Sequence, residues 1–189
     1  GQVEWISQFA QPVPQTVMAN ILGWPTEDLK LLKYYGDGTV KPFVYGSKHN
    51  NILPPEETKT QFEVLDEFRQ YTADLIKKKR KNPAEDMISF LTEVEYSPLK
   101  RKLHDLEING IVYAMIIGGL ETTQYAISEQ VQLLIERPKV WDEIKADRNK
   151  LRAFTEEGMR LRSPTQGLST RITSQDEVFQ GVKVPKGSY

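Results

Sequence analysis

From Asp105 to Arg137 the chain runs without a proline, and Pro138 ends the run. Read as one helix, this segment is roughly 50 Å long at ~1.5 Å per residue. Its middle, Ile111 to Leu120, is apolar all round. A helix without a polar face has to run through a core rather than over it. The remaining elements therefore have to supply apolar faces that surround it.

The segments on either side do so. Val13 to Leu22 carries Val17, Met18, Ile21 and Leu22 on one face and stops at Gly23-Trp24-Pro25. Thr26, Glu27 and Asp28 form a cap and an acidic first turn for a helix that buries Leu29, Leu32 and Tyr35. Gly36 to Leu53 reads as a long loop, with glycines, Pro42, Ser47 and Asn50-Asn51. Pro54-Pro55-Glu56-Glu57 opens a long helix. Its spacing predicts a buried stripe through Phe62, Leu65, Phe68, Thr72, Leu75 and Ile76. Asn82-Pro83 ends that helix, and Ala84 to Val94 forms a shorter one through Met87, Ile88 and Leu91. After Pro138 a helix turns Val140, Trp141 and Ile144 inward, and Leu151 to Leu161 is another. Beyond Ser163-Pro164 the pattern becomes extended, over Leu168 to Thr173 and Glu177 to Val184. The predicted fold is mainly α with a small β element near the C-terminus. It forms a single partial domain over 1–189, helical through 165, with the start of a sheet over 166–189.

Composition removes several function classes. The chain has 189 residues, 39% of them hydrophobic, with 25 basic and 26 acidic side chains and a net charge of -1. That suffices for one core and leaves no basic excess for a nucleic-acid partner. The dense basic run Lys77 to Lys81 reads as the solvated end of a helix, where the dipole favours cations. There is no cysteine, hence no disulfide, thiolate metal site or thiol nucleophile. His49 and His104 stand in unlike contexts, so zinc is not expected. No serine sits in a nucleophile elbow. The start lacks a signal-peptide pattern, and Ile111 to Leu120 is too short to span a bilayer. The expectation is a cytoplasmic protein with no membrane partner.

Three motifs carry chemistry. Gly118-Gly119-Leu120-Glu121-Thr122-Thr123 lies at the centre of the long helix. Two helical glycines cost ~1 kcal/mol each relative to alanine, a cost that fits a close backbone approach or a kink. The acid that follows is expensive to bury, and burial raises its pKa. Small residues, an acid and an alcohol in sequence can bring a flat ligand against a helix and hand it protons. A plain kinked helix, with Thr122 bonding back to a carbonyl and Glu121 in solvent, fits the spacing equally well. Glu157 and Arg160 are three apart on one helix face and can pair. Arg171, between Thr170 and Ile172 in an expected strand, is either a sheet-edge charge or a bidentate carboxylate ligand.

In this order the motifs resemble the cytochrome P450 family, particularly its soluble bacterial branch. Gly118 to Thr122 match that family's small-Gly-x-acid-Thr motif over the haem. Glu157 and Arg160 match its Glu-x-x-Arg, Pro164 its following proline, and Arg171 the strand arginine on a haem propionate. The stretch from Arg171 to Gly187 is similar to its strand pair. The resemblance implies a monooxygenase with haem b, acting on a small apolar substrate with electrons from a ferredoxin-type donor. It implies that Glu121 and Thr122 relay protons and that Gly118, Gly119 and Thr123 lie along the haem. It further implies that Glu157 and Arg160 form a structural pair and that Arg171 holds a propionate. The family's iron ligand is a cysteine in a later Gly-rich loop. The expectation is therefore a central fragment, inactive alone and prone to self-association through uncovered apolar surface. A haem-free helical binding or scaffold module and an unrelated helical bundle remain alternatives. Tyr113, Met115, Ile116, Ile117 and the loop from Gly36 to Leu53 are candidate neighbours of a substrate.

Overall fold

The computed structural model describes residues 1–45, 53–98, 100–165 and 171–188, with the side chains of 42–45 left aside. After a π-helical turn at Ile6–Ala10 come α1 (Pro12–Leu22), α2 (Leu29–Tyr45), α3 (Pro55–Lys81) and α4 (Met87–Glu93). A small hairpin, β1 (Glu95–Tyr96) with β2 (Arg101–Lys102), precedes α5 (Asp105–Gly119) and α6 (Glu121–Glu136). Then follow α7 (Pro138–Ala146), α8 (Lys150–Leu161) and a second antiparallel hairpin, β3 (Glu177–Phe179) with β4 (Val182–Val184). The architecture is mainly α, with small β elements. Among the described residues no helix is long and apolar enough to cross a membrane.

The segment expected as one long helix is two, α5 and α6, with the break at Leu120, where ψ is -76°. Its apolar centre does enter the core. Ile108, Val112, Ile116 and Leu120 are buried with Leu22, Trp24, Leu32, Tyr35, Phe68, Ile76 and Ile88. The rest of its circumference is not covered: Ala114 and Gly118 are exposed.

The largest departure from the sequence reading is α2. The stretch from Gly36, read as a loop, continues the helix to Tyr45; 46–52 lie outside the described residues. Its glycines mark close packing rather than a turn. A β-carbon at Gly36 would come within 2.7 Å of Leu120 Cδ1, and one at Gly38 would overlap the Val64 side chain. Each glycine weakens the helix locally, and the contacts with α3 and the α5–α6 junction offset that cost. The buried face of α3 runs through Gln61, Val64, Phe68, Thr72, Leu75 and Ile76, while Phe62, expected inside, is exposed. On α1 the buried residues are Pro14, Ala19 and Leu22, whereas Val17 and Ile21 face outward. Trp141 of α7 is likewise half out, with Lys145 Nζ 5.6 Å from its ring centre.

Polar groups pin the helix ends. Gly23 ends α1 in the left-handed region (φ 72°), which glycine adopts without strain. Asp86 lies against it, caps α4 by accepting from the Ser89 amide at 2.8 Å, and accepts from Lys79 Nζ at 2.5 Å. Those hydrogen bonds outweigh burial and hold its carboxyl below the usual range, although burial is the largest single influence and acts upward. Arg80 reaches the Thr92 and Leu103 carbonyls, both at 3.1 Å, and the Asp105 carboxylate at 2.8 Å. Two members of the basic run read as solvated therefore tie α3 to its neighbours. At the start of α5, Arg101 grips Glu107 with two 2.8 Å bonds, and Glu107 accepts the His104 amide. The Arg101 bonds lower Glu107 to about 2.

Asp86→Ala removes a cap and leaves Lys79 half-buried without its partner. The expected loss is about 2 kcal/mol, from capping and charged hydrogen bonding together, read as a lower urea midpoint at unchanged slope. Asp86→Asn, which still caps, should keep more than half of that.

Candidate functional site

The site is built on the junction of α5 and α6. The Thr122 hydroxyl donates to the Gly118 carbonyl at 2.6 Å. This is the local back-bond that bends helices at threonine. The ladder is carried across the junction by Leu120 N–H to Ile116 (3.2 Å) and Gln124 N–H to Leu120 (3.0 Å). Two weak helix formers come just before this bond, so the helix yields here and not elsewhere. Gly118 and Gly119, adjacent in sequence, have different surroundings. A β-carbon on Gly118 would meet nothing within 4 Å, whereas one on Gly119 would overlap Met18 of α1. Gly118 and Ala114, one turn apart, make a strip without bulk on the uncovered side of α5. Thr123 is exposed.

Glu121 is half-buried in a polar niche with Gln11, Gln15, Lys33, Asp37 and Gln124, beside a void of about 20 Å³. Lys33 is paired with Asp37 on α2. Burial raises the Glu121 pKa first, Asp37 raises it further, and Lys33 opposes both. The carboxyl thus keeps its proton to higher pH than an exposed glutamate. Tyr113 donates to the Thr39 carbonyl at 3.2 Å and lies 5.9 Å from the Phe68 ring. Ile116 is fully buried in the core, Met115 packs on the core's edge, and Ile117 is half-exposed.

Glu157 and Arg160 form a two-point pair on α8, at 2.7 and 2.6 Å. Both side chains are exposed, where such pairs add little stability. The sequence reading missed the stronger link between α8 and α6. Arg162 bonds both oxygens of Glu136, at 2.9 and 2.7 Å, and reaches Glu129 at 3.3 Å. Beside it Gly158 lets α8 close on Gln130. Two acids seven apart on α6 were the available signal, but nothing local pointed to Arg162. Arg171 lies on a separate, exposed segment. That segment is extended without being a regular strand: Thr173 exchanges backbone bonds with Ser188 (3.0 Å) and Gly187 (2.9 Å). Of the strand expected over Leu168 to Thr173, residues 168–170 lie outside the described residues. Among the described residues no cluster of His, Asp and Glu could hold a metal ion.

The chain matches the family model described as Cytochrome P450 over residues 33–189. It is 31% identical to a steroid C26-monooxygenase of Mycolicibacterium smegmatis, covering 99% of this chain and 44% of that protein. It is 29% identical to a biotin biosynthesis cytochrome P450 of Bacillus subtilis, covering 98% and 45%. In structure it is similar to P450BioI bound to an acyl carrier protein carrying hexadec-9Z-enoic acid. There the TM-score is 0.86 at 28% identity, over 98% of this chain and 45% of that one. It is also similar to CYP109E1 of Bacillus megaterium with testosterone, at TM-score 0.84 and 29% identity over 98% and 47%. The chain thus spans less than half the length of these relatives.

A carboxyl whose folded pKa is raised favours the fold most below its unfolded value near 4.5 and loses that contribution as pH rises through the folded value. Glu121→Gln should therefore match the wild type near pH 4. It should exceed it at pH 7 by about 0.5 kcal/mol, a figure kept small for solvent screening. Urea titrations at the two pH values measure the difference.

Proposed function

The chain belongs to the cytochrome P450 family, and on that premise we propose that it is the central part of a haem-thiolate monooxygenase acting on a small apolar molecule. One observation carries the reading: the α5–α6 junction, where the Thr122 hydroxyl holds the Gly118 carbonyl beside a strip of the helix without side-chain bulk. The steroid and acyl-chain ligands named for the relatives support an apolar substrate. A ferredoxin-type protein is the proposed electron donor.

The strip of Ala114 and Gly118 supports the reading, because it leaves a face of α5 against which a planar ring can lie. Arg171 is the residue proposed to hold a propionate, since a guanidinium matches a carboxylate in shape and charge. Bound haem with a thiolate ligand would supply the activation of dioxygen. The chain has no cysteine, so the thiolate would come from outside these 189 residues. Thr122 commits its hydroxyl hydrogen to Gly118, which leaves its oxygen to accept a hydrogen bond and so orient a water or a protonated group. Glu121, whose pKa is raised by burial and by Asp37, is the neighbouring group proposed to pass protons, through its polar niche. Gly119 seats α1 through Met18 and so fixes the height of the junction. Glu157 and Arg160 pair with each other on the exposed side of α8.

The test begins with the coding sequence beyond Tyr189. The reading expects an open frame that soon encodes a Phe- and Gly-rich loop with one cysteine. The longer product should take up one haem and insert one atom of labelled dioxygen into an apolar substrate when supplied with a ferredoxin and its reductase. Thr122→Val should lower product formation by about tenfold or more while oxygen consumption continues. A stop codon at that point, together with failure of the 189-residue chain to bind haem, would overturn the reading.

A further inference from the structure

We propose that the cleft between α6, α7 and α8 binds a small amphiphilic carboxylate, its chain buried among apolar side chains and its head group on Arg137. The cleft has a volume of about 350 Å³, within the range of ligand pockets. A cavity of ~150 Å³ takes a benzene, so this one accommodates an aliphatic chain of roughly eight to ten carbons. Leu133, Val140, Ile144, Phe154 and Leu161 supply the walls.

The charges at its rim give the head group its sign and place. Lys150 is taken by Glu143 at 2.9 Å, and Glu157 by Arg160 at 2.6 Å. Arg137 has only a 3.5 Å contact with Glu136, and both oxygens of Glu136 are already bonded by Arg162. Of the rim cations, Arg137 is the one whose partner is bound more closely elsewhere. It also sits where α7 begins, at Pro138, and that helix start has neither a side-chain cap nor an acid in its first turn. The guanidinium and the positive end of the helix dipole favour an anion at the same spot. The inference does not depend on haem or on the proposed reaction.

The experiment is a titration of the longer protein that contains these 189 residues with octanoate and, separately, octanol, followed by methyl NMR of Leu133, Val140 and Ile144. About ten heavy atoms at ordinary ligand efficiency give a Kd in the low millimolar range. Octanoate should shift all three methyls along one saturation curve. Arg137→Gln should weaken octanoate at least threefold and leave octanol unchanged. Ala153→Phe, which fills the cleft from its solvent side, should abolish both; Ala153→Leu provides the same reading if the larger residue perturbs the circular dichroism. No saturation by about 20 mM, equal affinity for acid and alcohol, or shifts that survive a filled cleft would each overturn the proposal.

Discussion

The close approach of backbones at the α5–α6 junction governs the rest of the structure. Leu120 ends α5 and is buried against Gly36 of α2, while the Gly119 backbone receives Met18 of α1. Interiors are packed as densely as organic crystals, so neither contact has room for one more carbon. The junction therefore sets the spacing of three helices at once. With α2 held there, Gly38 brings it onto Val64 of α3, and the aromatic core of Trp24, Tyr35, Phe68 and Tyr71 fills the space between. Trp24 and Tyr71 stack at 4.6 Å, and the Tyr71 hydroxyl donates to Asp28 at 2.5 Å. Burial and Asp28 together push that phenol well above its usual range, so it remains a neutral donor.

Electrostatics does a different job in the same molecule. The pairs along exposed helix faces, such as Arg69 with Asp66 and Lys77 with Asp74, are worth little individually. Most of those that join separate elements are less exposed. Asp86 collects the ends of α1, α3 and α4, Arg80 joins α3 to α4 and α5, and Arg162 joins α8 to α6. Apolar packing thus sets the distances between helices, and a handful of charges fixes how their ends meet.

What the sequence made legible was mostly local. Gly23, Pro55, Asn82-Pro83 and Pro138 mark helix ends because their backbone preferences act within a few residues. The Thr122 bond to Gly118 was open to inference for the same reason, being an i to i-4 contact. Gly36 and Gly38 misled because glycine has two uses, freeing the backbone and admitting a neighbour, and only the folded chain shows which applies. The buried faces of α1 and α3 were misjudged at Val17, Ile21 and Phe62. An apolar side chain there was counted as core, while Gln61 and Ala19 held the inner places. Arg162, Glu129 and Glu136 are separated by 26 and 33 positions, and no periodicity announces such a meeting. The central motif was readable, but the niche around Glu121, made by Lys33 and Asp37 from another helix, was not.

The three tryptophans occupy three unlike settings. Trp24 is sealed in the aromatic core, Trp5 is stacked 4.5 Å from Phe9 at the start of the π-helical turn, and Trp141 stands half in water beside Lys145. Their emission colours should separate accordingly, blue for the first and red for the last. These 189 residues contain no cysteine, so a single one introduced among them would be the one thiol of this segment to take a dye. The molecule is thus equipped for optical measurement, with an intrinsic donor in its centre and another on α7.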